Sequence, residues 1–202
     1  MRDWWLRALL VLQRPRPVFV ALRDDSKEAV SDRSEPVLAI VLLAGIAALL
    51  PTHTAGTFLD DGSYGGLVVA VWVFLAGSLY GAFGFFAIGG LLYVGSKVLG
   101  SQGSYRRSRH VVAFAAAPLA LSLVLWPVKL VLYGNALFRS GGSDHGVGAG
   151  VFDALELGFL LWSAALLVIG VRAVHGWTWV RAGAASSLAI VVPVVLAVVF
   201  SA

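Results

Sequence analysis

Three residues could do chemistry in otherwise apolar surroundings: Lys129, Asp153 and Glu156. Lys129 lies in the apolar run 110–133, about four residues or 6 Å from its far end at 1.5 Å per residue. Asp153 and Glu156 open the next apolar run, 151–174, three residues apart and so on one helical face, at a matching depth. The group fits a proton or ion relay, because ionisable residues inside a membrane span are functional by default. It also fits a structural pair, in which Lys129 snorkels outward to Glu156 while both carboxylates favour the positive end of their helix. Nearness to the membrane interface favours the structural pair.

Other chemistry finds less to work with. His53, His110, His145 and His175 fall two on each side of the expected topology, so no four-ligand metal cluster forms, and no His-Glu-x-x-His pair exists. Gly100, Ser101, Gly103 and Ser104 form a small-residue loop without the Gly-Lys-Ser/Thr ending of a nucleotide loop. There is no Gly-x-Ser-x-Gly elbow and no cysteine, hence no disulfide, thiolate nucleophile or thiolate metal site. Neither a catalytic constellation nor a cofactor is expected. Arg106, Arg107 and Arg109, beside backbone donors of that loop, could hold the phosphate of an anionic lipid or act simply as topology determinants.

The elements that must position these residues are apolar helices. The chain has 202 residues, 59% apolar and 13% charged, with a mean hydropathy of +0.86, well above the apolar share of a soluble domain. The net charge of +4 and pI near 9.8 point to lipid head groups rather than nucleic acid, because the cations border the apolar runs and do not mingle with exposed aromatics. The pattern predicts an all-α integral membrane protein with five spans, at about 36–55, 67–94, 110–133, 151–174 and 180–200, behind an N-terminal segment, 1–35. In that segment residues 4–12 are too short to span and suit an interfacial helix with Trp4 and Trp5 at the interface; no cleavable signal peptide is evident. Pro15 and Pro17 end that helix, residues 23–35 read as a solvated linker or short amphipathic helix, and Pro36 stands at the start of the first span.

Thirteen of the fifteen Lys and Arg residues then fall on one side, Arg139 on the other and Lys129 within a span. The bias places the N-terminus in the cytoplasm and the C-terminus outside. The 67–94 run is longer than a perpendicular span needs, so it tilts, kinks or projects. Gly77, Gly81 and Gly84 clear one of its faces for close packing within the molecule. Pro118 and Pro127 make the third span irregular, and Arg172, His175 and Gly176 supply a basic last turn and a left-handed cap to the fourth.

Two phrases, GSKVLGSQGSYRRSRHVVAFAAAP at 95–118 and LWSAALLVIGVRAVHGWTWVRAGAASSLAIVVP at 161–193, resemble the Yip1 family of multi-spanning membrane proteins in a form like that of prokaryotes. The early RPRPVFVAL is similar to the Pro-rich, Phe-containing segment before that family's first span. The resemblance implies five spans with a cytoplasmic N-terminus and a non-enzymatic membrane protein. Eukaryotic members bind small Rab-type GTPases. This chain lacks their Asp-Leu-Tyr-Gly-Pro motif and long soluble N-terminal region, so GTPase binding is not carried over. The expected function is to organise membrane or partner proteins in the cell membrane, with anionic lipids, a membrane-protein partner or a second copy as associates. The alternative is a small ion, proton or solute transporter using Lys129, Asp153 and Glu156; five spans do not divide into two equal inverted halves, which weighs against it.

Overall fold

A computed structural model describes residues 2–60, 65–140 and 147–201. Among these there is no strand, and ten α-helices carry the architecture: α1 (Arg2–Leu10), α2 (Pro15–Ala21), α3 (Lys27–Leu49), α4 (His53–Gly56), α5 (Gly66–Val98), α6 (Tyr105–Ala115), α7 (Ala117–Leu121), α8 (Leu125–Tyr133), α9 (Val147–His175) and α10 (Trp179–Ser201). Three helical stretches are long and apolar enough to cross a membrane: Gly66–Val98, Tyr105–Phe138 and Gly148–His175. Trp179–Val195 is a shorter apolar stretch. The end carrying the loop at 99–104, flanked by Lys97 and Arg106 on the adjoining helices, is called the inner end below.

α3 differs from expectation. It begins at Lys27, with Pro36 inside it. The reason is local: the Ser26 hydroxyl accepts the Ala29 N–H at 3.3 Å, a complete N-cap, and Asp24 accepts the Ser26 N–H at 3.0 Å, which fixes the turn before it. The helix therefore nucleates upstream of Pro36. Its apolar part, 36–49, is only about 21 Å long at 1.5 Å per residue, short of the roughly 30 Å hydrocarbon thickness.

The N-terminal segment is also more than an interfacial strip. Pro15 and Pro17 do not merely end α1; they stand in the first turn of α2, where a missing N–H costs nothing. Val11, Val18, Phe19 and Leu22 are fully or almost fully buried and join one core with Val111, Phe114, Leu166 and Val171. Trp4 belongs to that core, its ring centroid 5.7 Å from that of Phe114, whereas Trp5 is exposed as an interfacial residue would be. Phe19 can seat against α9 because position 170 is glycine; a Cβ there would meet the Phe19 ring at 2.8 Å.

α5, with 33 residues, is about 50 Å long and forms the spine to which α3, α6 and α10 attach. Against α3 the approach is backbone to backbone: a Cβ on Gly45 would lie 2.2 Å from the Gly77 carbonyl oxygen, and one on Gly81 2.2 Å from that of Val41. Gly77 and Gly81 thus pack within the molecule against α3. Gly84 does not share that role, because its Cβ would meet only Ile88 of its own helix, at 3.8 Å. The third helical run is broken as its prolines require: α7 starts one residue before Pro118, a 3-10 turn covers Ser122–Val124, and Pro127 is in the first turn of α8. At the opposite end from the loop at 99–104, Leu50, Val69, Val73, Trp126 and Phe138 form a second, smaller core.

Candidate functional site

The inner end is a folded polar cap. Arg33 is completely buried. It lies four residues before Val37, on the same face of α3 that Val37, Ile40, Val41 and Ala44 bury further along. Its Nε–H donates to His110 Nδ1 at 2.8 Å, Nη1 to the Asp24 carbonyl at 2.7 Å, and Nη2 to Asp25 Oδ1 at 3.3 Å, where it forms an ion pair. Burial holds the Arg33 pKa below its ordinary range, and the Asp25 and Asp24 carboxylates oppose that shift. Asp24, an exposed residue of the same turn, is held below the ordinary carboxylate range by hydrogen bonds from the Ser26 backbone and hydroxyl.

From Asp25 the network runs on through the first turn of α6 and the loop before it. Ser104 caps α6, accepting the Arg107 N–H at 3.0 Å, and its hydroxyl donates to Asp25 Oδ2 in a short contact. Arg107 Nη2 donates to the Arg23 carbonyl at 2.8 Å. Arg23 in turn donates to the carbonyls of Val174, at 3.0 Å, and Ala173, at 2.6 Å, which α9 leaves open at its C-terminus. His175 faces two groups: the Val171 carbonyl at 3.0 Å from Nδ1 and the Ser101 hydroxyl at 2.8 Å from Nε2. A carbonyl only accepts, so Nδ1 carries the proton; burial holds the His175 pKa below its ordinary value, which favours the neutral ring, and Nε2 of that ring accepts from Ser101. Ser101 then accepts the Gly103 N–H at 2.9 Å. Gly176 follows at φ +70°, the left-handed cap. His110, by contrast, accepts the Arg33 Nε–H hydrogen bond on Nδ1, which is therefore unprotonated.

The three arginines read together from sequence separate here. Arg106 is exposed and makes no hydrogen bond or ion pair with a described residue; Arg107 ties the cap together. Arg109 lies between aromatic faces, its guanidinium carbon 5.2 Å from the Phe85 ring centroid and 4.8 Å from those of Phe86 and Tyr105. Successive helix positions rotate by about 100°, so neighbours in sequence face different surroundings.

At the other end Lys129, 7% exposed, pairs with Glu156, Nζ to Oε1 at 3.0 Å, over the rings of Trp126 and Phe152. Asp153 is exposed and forms no ion pair with a described residue. The three residues therefore do not assemble as one relay, and the transporter alternative gains no support. No cluster of three or more metal-binding side chains occurs among the described residues. His145 lies outside them.

Against this arrangement, comparison with known families is decisive on one point: the profile of the Yip1 domain matches residues 9–202. The chain belongs to the Yip1 family. Curated proteins and solved structures give no match. The Yip1 match takes in most of the N-terminal segment, in keeping with the shared core that α2 forms with α6 and α9.

Sequence reasoning missed the pins of this Yip1 cap: Asp25, Arg33, Ser101 and Ser104. Arg33 had a usable signal. Extending the buried stripe of α3 backward from Val37 by one turn reaches position 33, and a charge on a core stripe demands partners. The partners of Ser101 and Ser104 are 74 and 79 residues away in sequence and leave no local trace.

Proposed function

We propose that this Yip1-family membrane protein is a five-span, non-enzymatic scaffold of the cell membrane that organises lipids or partner proteins through its inner cap, with the N-terminus in the cytoplasm and the C-terminus outside. The observation that carries the reading is the cap itself. Its polar side chains, from Arg33 and Asp25 through Ser104 and Arg107 to Arg23, are engaged with one another and with backbone carbonyls. That arrangement ties α3, α6 and the end of α9 into one polar cap.

Two further features support five spans. α3, although its apolar part is short, is seated backbone to backbone on α5, a helix able to cross, from Val41 to Ile46. α10 has 23 residues, about 34 Å at 1.5 Å per residue. The natural absence of cysteine makes the test clean. Single cysteines replacing the exposed residues Glu28 and Gln102 should react with a membrane-impermeant thiol reagent only after permeabilisation. Thr54→Cys and Arg139→Cys should react in intact cells. The reverse pattern at all four positions would overturn the orientation, and Thr54→Cys behaving like Glu28→Cys would remove the first span.

A further inference from the structure

Among the described residues Arg109 has no ion-pair partner, and it sits in a place built to hold it still. A Cβ on Gly89 would lie 3.1 Å from Arg109 Cα and 2.5 Å from its Cγ, so only glycine on α5 lets the arginine stem lie this close. Gly89 is nine residues before the end of α5, about 14 Å along the helix. There the guanidinium is walled by Phe85, Phe86 and Tyr105. The Tyr105 hydroxyl donates to the Phe86 carbonyl at 2.9 Å, which fixes that wall.

Among the described residues, the donors of this guanidinium have no acceptor. Nε is buried without a hydrogen-bond partner, and no hydrogen bond or ion pair joins Arg109 to any described residue. Aromatic faces offset part of the cation's desolvation but take up none of its five N–H groups in the way an oxygen would. Arg109 is itself only partly buried, and Phe86, which walls it, is exposed together with Phe83 on the same stretch of α5. Further along that helix Tyr93 packs against Tyr105, and the exposed Lys97 lies over Tyr93 at 5.5 Å. Two cations thus flank a pair of tyrosines with no carboxylate among them.

We propose that Arg109 binds the phosphate of an anionic phospholipid of the inner leaflet, seated on the seam between α5 and α6 with Lys97 adding to the field. A planar guanidinium meets phosphate oxygens through two parallel N–H bonds, and basic pockets between spanning helices on the cytoplasmic side take such head groups. The assignment rests on the orientation proposed above, in which this end faces the cytoplasm. It separates Arg109 from Arg106, which has no cage, and from Arg107, whose Nε is likewise buried without a partner but whose Nη2 is engaged by the Arg23 carbonyl and which has no aromatic cage.

The test is native mass spectrometry of the full-length protein in detergent, with phosphatidylglycerol and phosphatidylcholine of identical chains added together. The parent should retain phosphatidylglycerol preferentially, Arg109→Gln should lose at least about tenfold of that retention, and Arg106→Gln should match the parent. Arg109→Lys keeps the charge without the paired donors and should fall between; it also serves if Arg109→Gln fails to fold, and retention equal to the parent's then overturns the proposal. Equal losses in Arg106→Gln and Arg109→Gln would mean diffuse attraction and overturn it too. Excess inorganic phosphate should not displace the lipid; displacement with no preference over phosphatidylcholine would make this a free-phosphate site and refute the lipid assignment. Retention in detergent does not depend on topology, so cysteine labelling could reverse the orientation while the Arg109 result stands.

Discussion

Arg33, sealed from solvent, donates its Nε–H to His110 Nδ1 across 2.8 Å, joining α3 to α6 at a point where neither helix could otherwise bury a polar group. The bond makes a specific demand of position 110: an acceptor. Replacing His110 with Leu should lower stability by about 1.5–3 kcal/mol, the range for a hydrogen bond to a charged group. His110→Asn, whose carbonyl can stand near the place of Nδ1, should recover part of it. Asp25→Asn leaves Arg33 buried without its ion-pair partner, and breaking such a pair costs up to about 3–5 kcal/mol; the side chain of Asp25 is 21% exposed, which puts the expectation at the low end. Thermal unfolding in detergent reads all three. An Asp25→Asn protein that melts with the parent would show that the carboxylate is not what neutralises Arg33.

The glycine series on α5 should split. Gly81→Ala drives a methyl group to 2.2 Å from a backbone carbonyl that cannot rotate away, and Gly45→Ala does the same from the α3 side. Each should cost at least about 1–3 kcal/mol, the usual range for overpacking. Gly84→Ala meets nothing closer than 3.8 Å and should be neutral or stabilising by up to about 1 kcal/mol, because alanine is the better helix former. Equal damage from Gly81→Ala and Gly84→Ala would mean that the α3–α5 contact is not the one described.

What could be read from the sequence was the chemistry that acts over one helical turn. The prolines at 118 and 127, the left-handed glycine at 176 and the excess length of α5 all appear where expected, because each follows from φ, a missing N–H or an apolar run. Pro36 misled for the same reason. Its preference for a first turn is a local signal, and the Ser26 cap with Asp24 behind it is a stronger one ten residues upstream. The cap was illegible because residues 23–35 look like a solvated charge run unless Arg33 is placed on the buried stripe of α3. Its partners, His110 and Ser104, join it only through tertiary folding.

Ser101 should matter more than an ordinary loop serine. It is 5% exposed and serves two groups, accepting the Gly103 N–H and donating to His175 Nε2. Ser101→Ala leaves both unpaired, at about 1–3 kcal/mol for a buried group without its partner. Because the bond ties loop 99–104 to the end of α9, the change should appear locally. Hydrogen exchange at Gly103 should rise before any change in exchange along α5. If exchange at Gly103 is unaltered, another acceptor holds that amide.

The last prediction concerns Lys129 and Glu156, and it follows from where their pair is buried. Lys129 lies over Trp126 and Phe152 with its ammonium 3.0 Å from Glu156 Oε1, and the carboxylate side chain is itself only 18% exposed. In such surroundings a lone charge is the expensive state, so Lys129→Met and Glu156→Gln should each destabilise. The double variant should cost less than the two single losses added together, with a coupling of about 0.5–3 kcal/mol. Asp153→Asn supplies the control. That carboxylate is exposed and unpaired among the described residues, so its change should lie within about 0.5 kcal/mol of the parent. Strict additivity of Lys129→Met and Glu156→Gln in thermal unfolding would mean that the contact contributes nothing to stability, and a loss in Asp153→Asn equal to that in Glu156→Gln would restore the three residues as one group.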